Sequence, residues 1–174
     1  MATVFDFVEG NEMPKAVDIA NFMVYLMTDS YDDTTNMKLF INDMNSLFFN
    51  CSSLKHLDVK NFNTSKVENF NEMFAYCKNL ISINLINTDT SNCVNITSIF
   101  KGCTSLLFLD VSNFITSKIE NMSEMFYQCS SLKSLNLSNF YTSTVKNMDR
   151  MFYQCSSLEF LNLSNFDTSI VTNM

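Results

Sequence analysis

The sequence predicts an α/β repeat solenoid. It would be a stack of 26-residue coils, each with one short parallel strand and one short helical turn, behind an N-terminal helical cap. Three observations point there. Cysteine returns at one fixed spacing, at Cys51, Cys77, Cys103, Cys129 and Cys155, and its neighbours return with it. Within each unit the apolar spacing changes from two to about three. The first 35 residues share none of this and carry a helical pattern. A fixed period between about 20 and 50 residues marks a solenoid. One such unit cannot bury its own apolar side and is stable only when stacked on its neighbours.

Taken in order, residues 1–35 form the cap. Residues 3–8 alternate weakly, as a short strand would. Pro14 suits the first turn of a helix, where no N–H is required. Val17, Ala20, Phe22, Val24 and Met27 then give an apolar, mostly helical stretch over about 14–28, and 29–35 reads as a loop. The first coil of a solenoid has one bare apolar face, which such a helix would cover. Residues 36–50 are a half repeat. Ile41, Met44, Leu47 and Phe48 fall in the columns of Val145, Met148, Met151 and Phe152, and Asp43 in that of Asn147. The array proper is 51–174, with coils starting at 51, 77, 103, 129 and 155, the last of them truncated.

The unit at 129–154 is the clearest copy. Leu135 and Leu137 are two apart and share one face of a strand, while Ser134, Asn136 and Ser138 point the other way. The spacing through Val145, Met148 and Met151 is too coarse for a strand and too short for a long helix. It predicts a bend and then a single α or 3₁₀ turn over 147–154. Asn147 or Asp149 would accept from the turn's free backbone N–H groups.

The spacing Leu132-x-x-Leu135-x-Leu137 resembles the leucine-rich repeat core. Whole units, NLSNFYTSTVKNMDRMFYQCSSL and LDVSNFITSKIENMSEMFYQCSSL, resemble the BspA-type leucine-rich repeat surface proteins. Repeats of this length were first catalogued there as a domain of unknown function in mycoplasmas. The resemblance runs from about Ile41 to Met174. It implies a leucine-rich-repeat-like fold, an N-terminal helix, a cell-surface setting and an interaction role. It carries over no catalytic residue.

Aligning the coils gives columns. One is all Phe: Phe48, Phe74, Phe100, Phe126 and Phe152. Another is Phe62, Thr88, Phe114, Phe140 and Phe166. Stacked rings are expected to fill the interior, each buried Phe stabilising by about 1.5–3 kcal/mol. Two Asn columns, Asn61 to Asn165 and Asn69 to Asn173, flank the bends, as do Thr-Ser pairs from Thr64–Ser65 to Thr168–Ser169. Their side chains are expected to satisfy backbone groups freed where the chain turns. The second coil departs most, with Ile86, Thr88, Cys93 and Ile96, and is expected to persist with local shifts. Met174 stands in the column of Met122 and Met148. The turn that should follow is absent, so either the array is longer or its end pairs with another molecule.

Six cysteines accompany only 2 glycines and 1 proline, so the turns rely on Asn, Asp and Ser. Cys93 stands in a column of Val67, Ile119, Val145 and Val171 and is expected to pack as a small apolar group. Neighbouring coils about 4.7–4.9 Å apart fit a disulfide ladder poorly, since Cβ atoms in a disulfide stand nearer about 3.5–4.5 Å. Buried reduced thiols are expected, which fits a cytosolic compartment. Residues 1–6 lack the basic start and apolar core of a signal peptide. The resemblance points instead to a cell surface, and the location stays open.

With 47% hydrophobic residues the chain is a folded domain. A net charge of −7 argues against nucleic acid and against anionic lipid. Residues 21–28 are apolar but too short for membrane insertion. No metal or cofactor is expected: there is no CxxC, His56 is the only histidine, and no Gly-rich phosphate loop exists. No nucleophile–base arrangement stands out either, so an enzyme is not expected.

The positions that vary from coil to coil are the better functional candidates. Phe108 and Phe160 are expected to point outward from the strand face, with Asp58, Asp110 and His56 beside them. These five are the candidate partner-binding residues. The expected function is a non-catalytic protein-interaction module, adhesive or not, binding a protein partner through that face. A structural spacer or stalk that self-associates end to end, and a glycan-binding adhesin, are the alternatives.

Overall fold

The computed structural model describes residues 43–60 and 62–174. Ile41–Met174 forms one compact unit, separate from Met1–Phe40. The expected cap, with its helix over 14–28, and the first part of the half repeat lie outside the described residues.

The described chain winds as a repeat of short parallel strands. These are β1 (His56–Asp58), β2 (Ser82–Asn84), β3 (Ser134–Asn136) and β4 (Phe160–Asn162). β1 pairs with β2 and β3 with β4, both parallel, with His56 opposite Ser82 and Ser134 opposite Phe160. A single bridge, Phe108 to Ser134, joins the intervening coil to β3. A second line of parallel bridges runs down one Asn column, from Asp43 through Asn69, Asn95, Asn121 and Asn147 to Asn173. Each bridge advances by one 26-residue coil.

The expected helical turn over 147–154 is a different object. No α or 3₁₀ helix occurs among the described residues. Alternate N–H groups leave the turn sideways for the next coil: Met122 to Asn147, Glu124 to Asp149, Phe126 to Met151 and Gln128 to Tyr153, at 2.7–2.9 Å. The groups between them bond back three residues, Met125 to Met122 and Tyr127 to Glu124. A right-handed helix points all its N–H groups along its own axis and offers none to a neighbour. Left-handed residues interrupt each turn instead, at Glu124 (φ 54) and Gln128 (φ 59), then Arg150 (φ 52) and Gln154 (φ 59). The chain thereby trades helical bonds for a ladder between coils.

The interior is aromatic, as the columns indicate. Phe48, Phe74, Phe100, Phe126 and Phe152 stack with centroids 5.5, 5.6, 6.0 and 5.7 Å apart and planes within 10°. Phe114 and Phe140 stack in the second column at 6.5 Å. Leu106, Leu132, Ile119 and Val145 fill the space around them and are fully buried.

Polar columns close the bends. Asn69, Asn95, Asn121 and Asn147 each accept, through Oδ1, the N–H two residues on, at 2.9–3.0 Å. The other Asn column works between coils. The amide of Asn113 donates to the carbonyls of Leu85 and Thr88, that of Asn139 to Val111 and Phe114, and that of Asn165 to Ser138. Thr90, Thr116 and Thr142 each accept the N–H of one residue in the next coil and donate to that residue's carbonyl. Backbone groups freed at these corners thus find partners, the condition a buried bend must meet.

Candidate functional site

The strand face holds the sequence candidates. Phe108 is 65% exposed and Phe160 55%, so both rings point outward as expected. They share one row: Phe108 faces Ser134, and Ser134 faces Phe160. The rings stand two coils apart, about 9–10 Å by strand spacing, with a serine between them. Leu107 is also exposed beside Phe108. His56 lies in the same row two coils before Phe108, and its Nδ1 is 2.8 Å from the Ser82 hydroxyl.

Asp58 and Asp110 have work inside the fold. Oδ1 of Asp58 accepts the N–H of Lys60 at 3.0 Å, and Oδ1 of Asp110 that of Ser112 at 2.9 Å. Asn84, Asn136 and Asn162 make the same bond in their coils. The column alternates between Asp and Asn because the turn requires only an acceptor oxygen two residues before the N–H. Hydrogen bonds from the Ser112 hydroxyl and N–H hold the Asp110 carboxyl below the usual range. The Lys60 N–H and ammonium do the same for Asp58.

A second cluster was not visible in the sequence. The Lys101 ammonium lies 2.6 Å from Glu124 Oε2 and sits over the rings of Tyr76 (5.8 Å) and Tyr127 (5.0 Å). The Ser98 hydroxyl donates to the same carboxylate oxygen at 3.1 Å. Burial works against both charges. Burial is the largest single effect on each, but the hydrogen bond and the charge attraction between them, with smaller contributions from Ser98 and Tyr76, together outweigh it and hold Glu124 below its usual range and Lys101 above its own. The Tyr127 ring continues onto Tyr153 at 5.1 Å. The clue was Lys101 itself, the one charge in a column otherwise of Phe49, Ala75, Tyr127 and Tyr153. A protonated lysine clamped by a carboxylate is a poor general base, so the cluster ties coils rather than offering chemistry.

The cysteine column is a set of donors. The thiols of Cys77, Cys103, Cys129 and Cys155 donate to the carbonyls of Phe48, Phe74, Phe100 and Phe126, at 3.0–3.2 Å. Burial pushes the Cys103 thiol up to about 12, and Cys129 well above its ordinary value. Cys93 is fully buried in its Val-like position and is likewise raised by burial, to about 12. Among the described residues no cluster of three or more His, Cys, Asp or Glu could hold a metal ion. No helix among them is long and apolar enough to cross a membrane.

The repeat is also recognisable from outside. The family described as "Mycoplasma protein of unknown function, DUF285" matches residues 23–108, 42–135 and 95–174, overlapping segments that reach the end of the chain. The chain belongs to this family. A search of curated proteins finds no match. Among solved structures this DUF285 chain is similar to a leucine-rich repeat protein of T. pallidum, at 20% identity and a TM-score of 0.39, over 68% of this chain and 60% of that one. It is also similar to a leucine-rich repeat protein from Eubacterium ventriosum, at 19% identity and a TM-score of 0.40, over 66% of this chain and 34% of that one. The chain thus spans about 60% and 34% of the lengths of these two proteins.

Proposed function

We propose that this DUF285 chain is a non-catalytic protein-interaction module that binds a protein partner through its strand face. One observation carries the proposal. Phe108 and Phe160 stand outward in a single row, while every other strand-face position of that row holds His56, Ser82 or Ser134. The fold does not use these two rings: the array builds the same position with serine in neighbouring coils. An exposed aromatic flanked by polar residues is the kind of side chain that anchors an interface. His56, hydrogen-bonded to Ser82, extends the row. Asp58 and Asp110 shape the turns beneath the face, and the second oxygen of Asp58 pairs with the Lys60 ammonium at 3.0 Å, so these carboxylates serve the fold before any partner.

The test replaces each ring with the residue the array itself uses there. A Phe108→Ser/Phe160→Ser chain should melt within about 0.5 kcal/mol of the parent, as surface sites do. Immobilised parent and variant are exposed to the same extract and bound proteins are identified by mass spectrometry. A protein held by the parent and released by the variant supports the strand face. Identical bound sets would place the binding surface elsewhere.

A further inference from the structure

We propose that coil 77–102 is a built-in seam, where the interior of the array parts before the coil-to-coil contact at Cys129 loosens. Four observations fall along one continuous stretch of the winding.

The first is a gap in the second aromatic column. Thr88 stands between Phe62 and Phe114 where other coils carry a ring. A cavity of about 10 Å³ opens there, lined by Phe62, Phe70, Met73, Leu85, Thr88 and Phe114 among others. The second concerns hydroxyls. Thr88 Oγ1 and Thr97 Oγ1 are buried without a hydrogen-bond partner, and both belong to this coil. The cavity is close to the size of one water, and besides Thr88 its only polar lining side chain is Thr64, whose hydroxyl already accepts the Asp89 N–H, whereas a buried water wants two to four polar partners. The third is in the strand ladder. β2 pairs with β1, yet among the described residues no strand pairs with its other side, towards Leu107 and Asp110. One long bond, Leu107 N–H to the Ile81 carbonyl at 3.4 Å, crosses there. The fourth is the contrast further along. The next strand contact is also crossed by a 3.4 Å bond, Lys133 N–H to the Leu107 carbonyl, but there a bridge forms between Phe108 and Ser134; beyond it Phe114 stacks on Phe140, and β3 pairs with β4 over three residues.

In a stacked array each coil contacts only its neighbours, so the weakest contact decides where separation begins. Local opening then precedes global unfolding. The chain carries its own matched reporters. Cys103 and Cys129 are both fully buried, and both donate to a Phe carbonyl at 3.2 Å. The Cys103 bond, to Phe74, lies between the cavity and the missing strand pair. The Cys129 bond, to Phe100, lies past them.

The experiment is native-state labelling of the full chain with N-ethylmaleimide, read by mass spectrometry of peptides. Cys103 should label about tenfold faster than Cys129, as sub-global opening ahead of the rest requires. Thr88→Val removes the unpartnered hydroxyl at nearly constant volume. It should slow Cys103 by about fivefold, since an orphaned buried hydroxyl is costly, and leave Cys129 unchanged. Equal rates for the two thiols in the parent chain would overturn the seam. So would a Thr88→Val chain in which Cys103 is not slowed, or in which both thiols are slowed alike.

Discussion

The Sγ of Cys129 donates to the carbonyl oxygen of Phe100, 29 residues away, at 3.2 Å. The same oxygen accepts the Cys103 N–H from its own coil at 3.1 Å. Four of the five rings of the central ladder, Phe48, Phe74, Phe100 and Phe126, are therefore fixed at their carbonyls by two bonds, one from the N–H three residues on and one from the thiol 29 residues on. Cys129→Ala removes the second bond and leaves a small void. The expected loss is about 1–2 kcal/mol, from the hydrogen bond and the cavity together. Urea denaturation followed by circular dichroism measures it. A loss near zero would mean that the thiol merely occupies space.

The ladder itself makes the larger contribution. Phe126 lies between Phe100 at 6.0 Å and Phe152 at 5.7 Å and is fully buried. Phe126→Ala should cost about 3–5 kcal/mol, as a deleted core aromatic does. Rigid stacked coils relax little into the void, so the upper half of that range is expected. A change under about 0.5 kcal/mol, typical of surface sites, would place the ring outside the core.

Much of this was legible in the sequence because period is a strong signal. The Phe column, the Asn columns and the outward rings of Phe108 and Phe160 follow from register alone. The turn was not legible. Spacing of three fits a helical turn and equally fits successive tight turns, and left-handed residues separate the two. Here those residues are Ser46, Glu72, Ser98, Glu124 and Arg150, with Asn50, Tyr76, Gly102, Gln128 and Gln154 four residues on, and one glycine among ten announces little. Asp110 has a second role that register alone does not show. Its alternation with Asn looked like surface variation, yet the turn bond to Ser112 accepts either side chain. The Lys101–Glu124 pair joins residues 23 apart and needed coordinates to be seen.

The same turn bonds give the array an acid limb. The carboxyls of Asp58, Asp110 and Asp167 are all held below the usual range, by hydrogen bonds from Lys60, Ser112 and Ser169 respectively. A carboxyl depressed in the folded state contributes stability above its unfolded value of about 3.9. That contribution disappears as pH falls through the lower folded value. The array should therefore weaken below about pH 4. Asp58→Asn/Asp110→Asn/Asp167→Asn keeps every turn acceptor and removes the charge. Its urea midpoint should fall less steeply with acid than the parent's. Parallel curves would show that these carboxyls carry no proton linkage.

Left-handed positions give the sharpest contrast. Gly102 has φ +70, and a Cβ placed on it would stand 2.7 Å from Cδ1 of Tyr76. That ring also meets Phe49 at a steep angle and lies under the Lys101 ammonium. Gly102→Ala should then cost more than the about 1–2 kcal/mol of left-handed strain alone. Arg150 has φ 52 and an exposed side chain, so the strain there is present and the crowding is not. Arg150→Gly relieves that strain at some cost in unfolded-chain entropy, and a gain of about 0.5 kcal/mol is expected. Melting temperatures of the two variants should move in opposite directions. If both fell, the turn would not be holding position 150 in the left-handed region, and the ladder of alternate N–H groups would need another explanation.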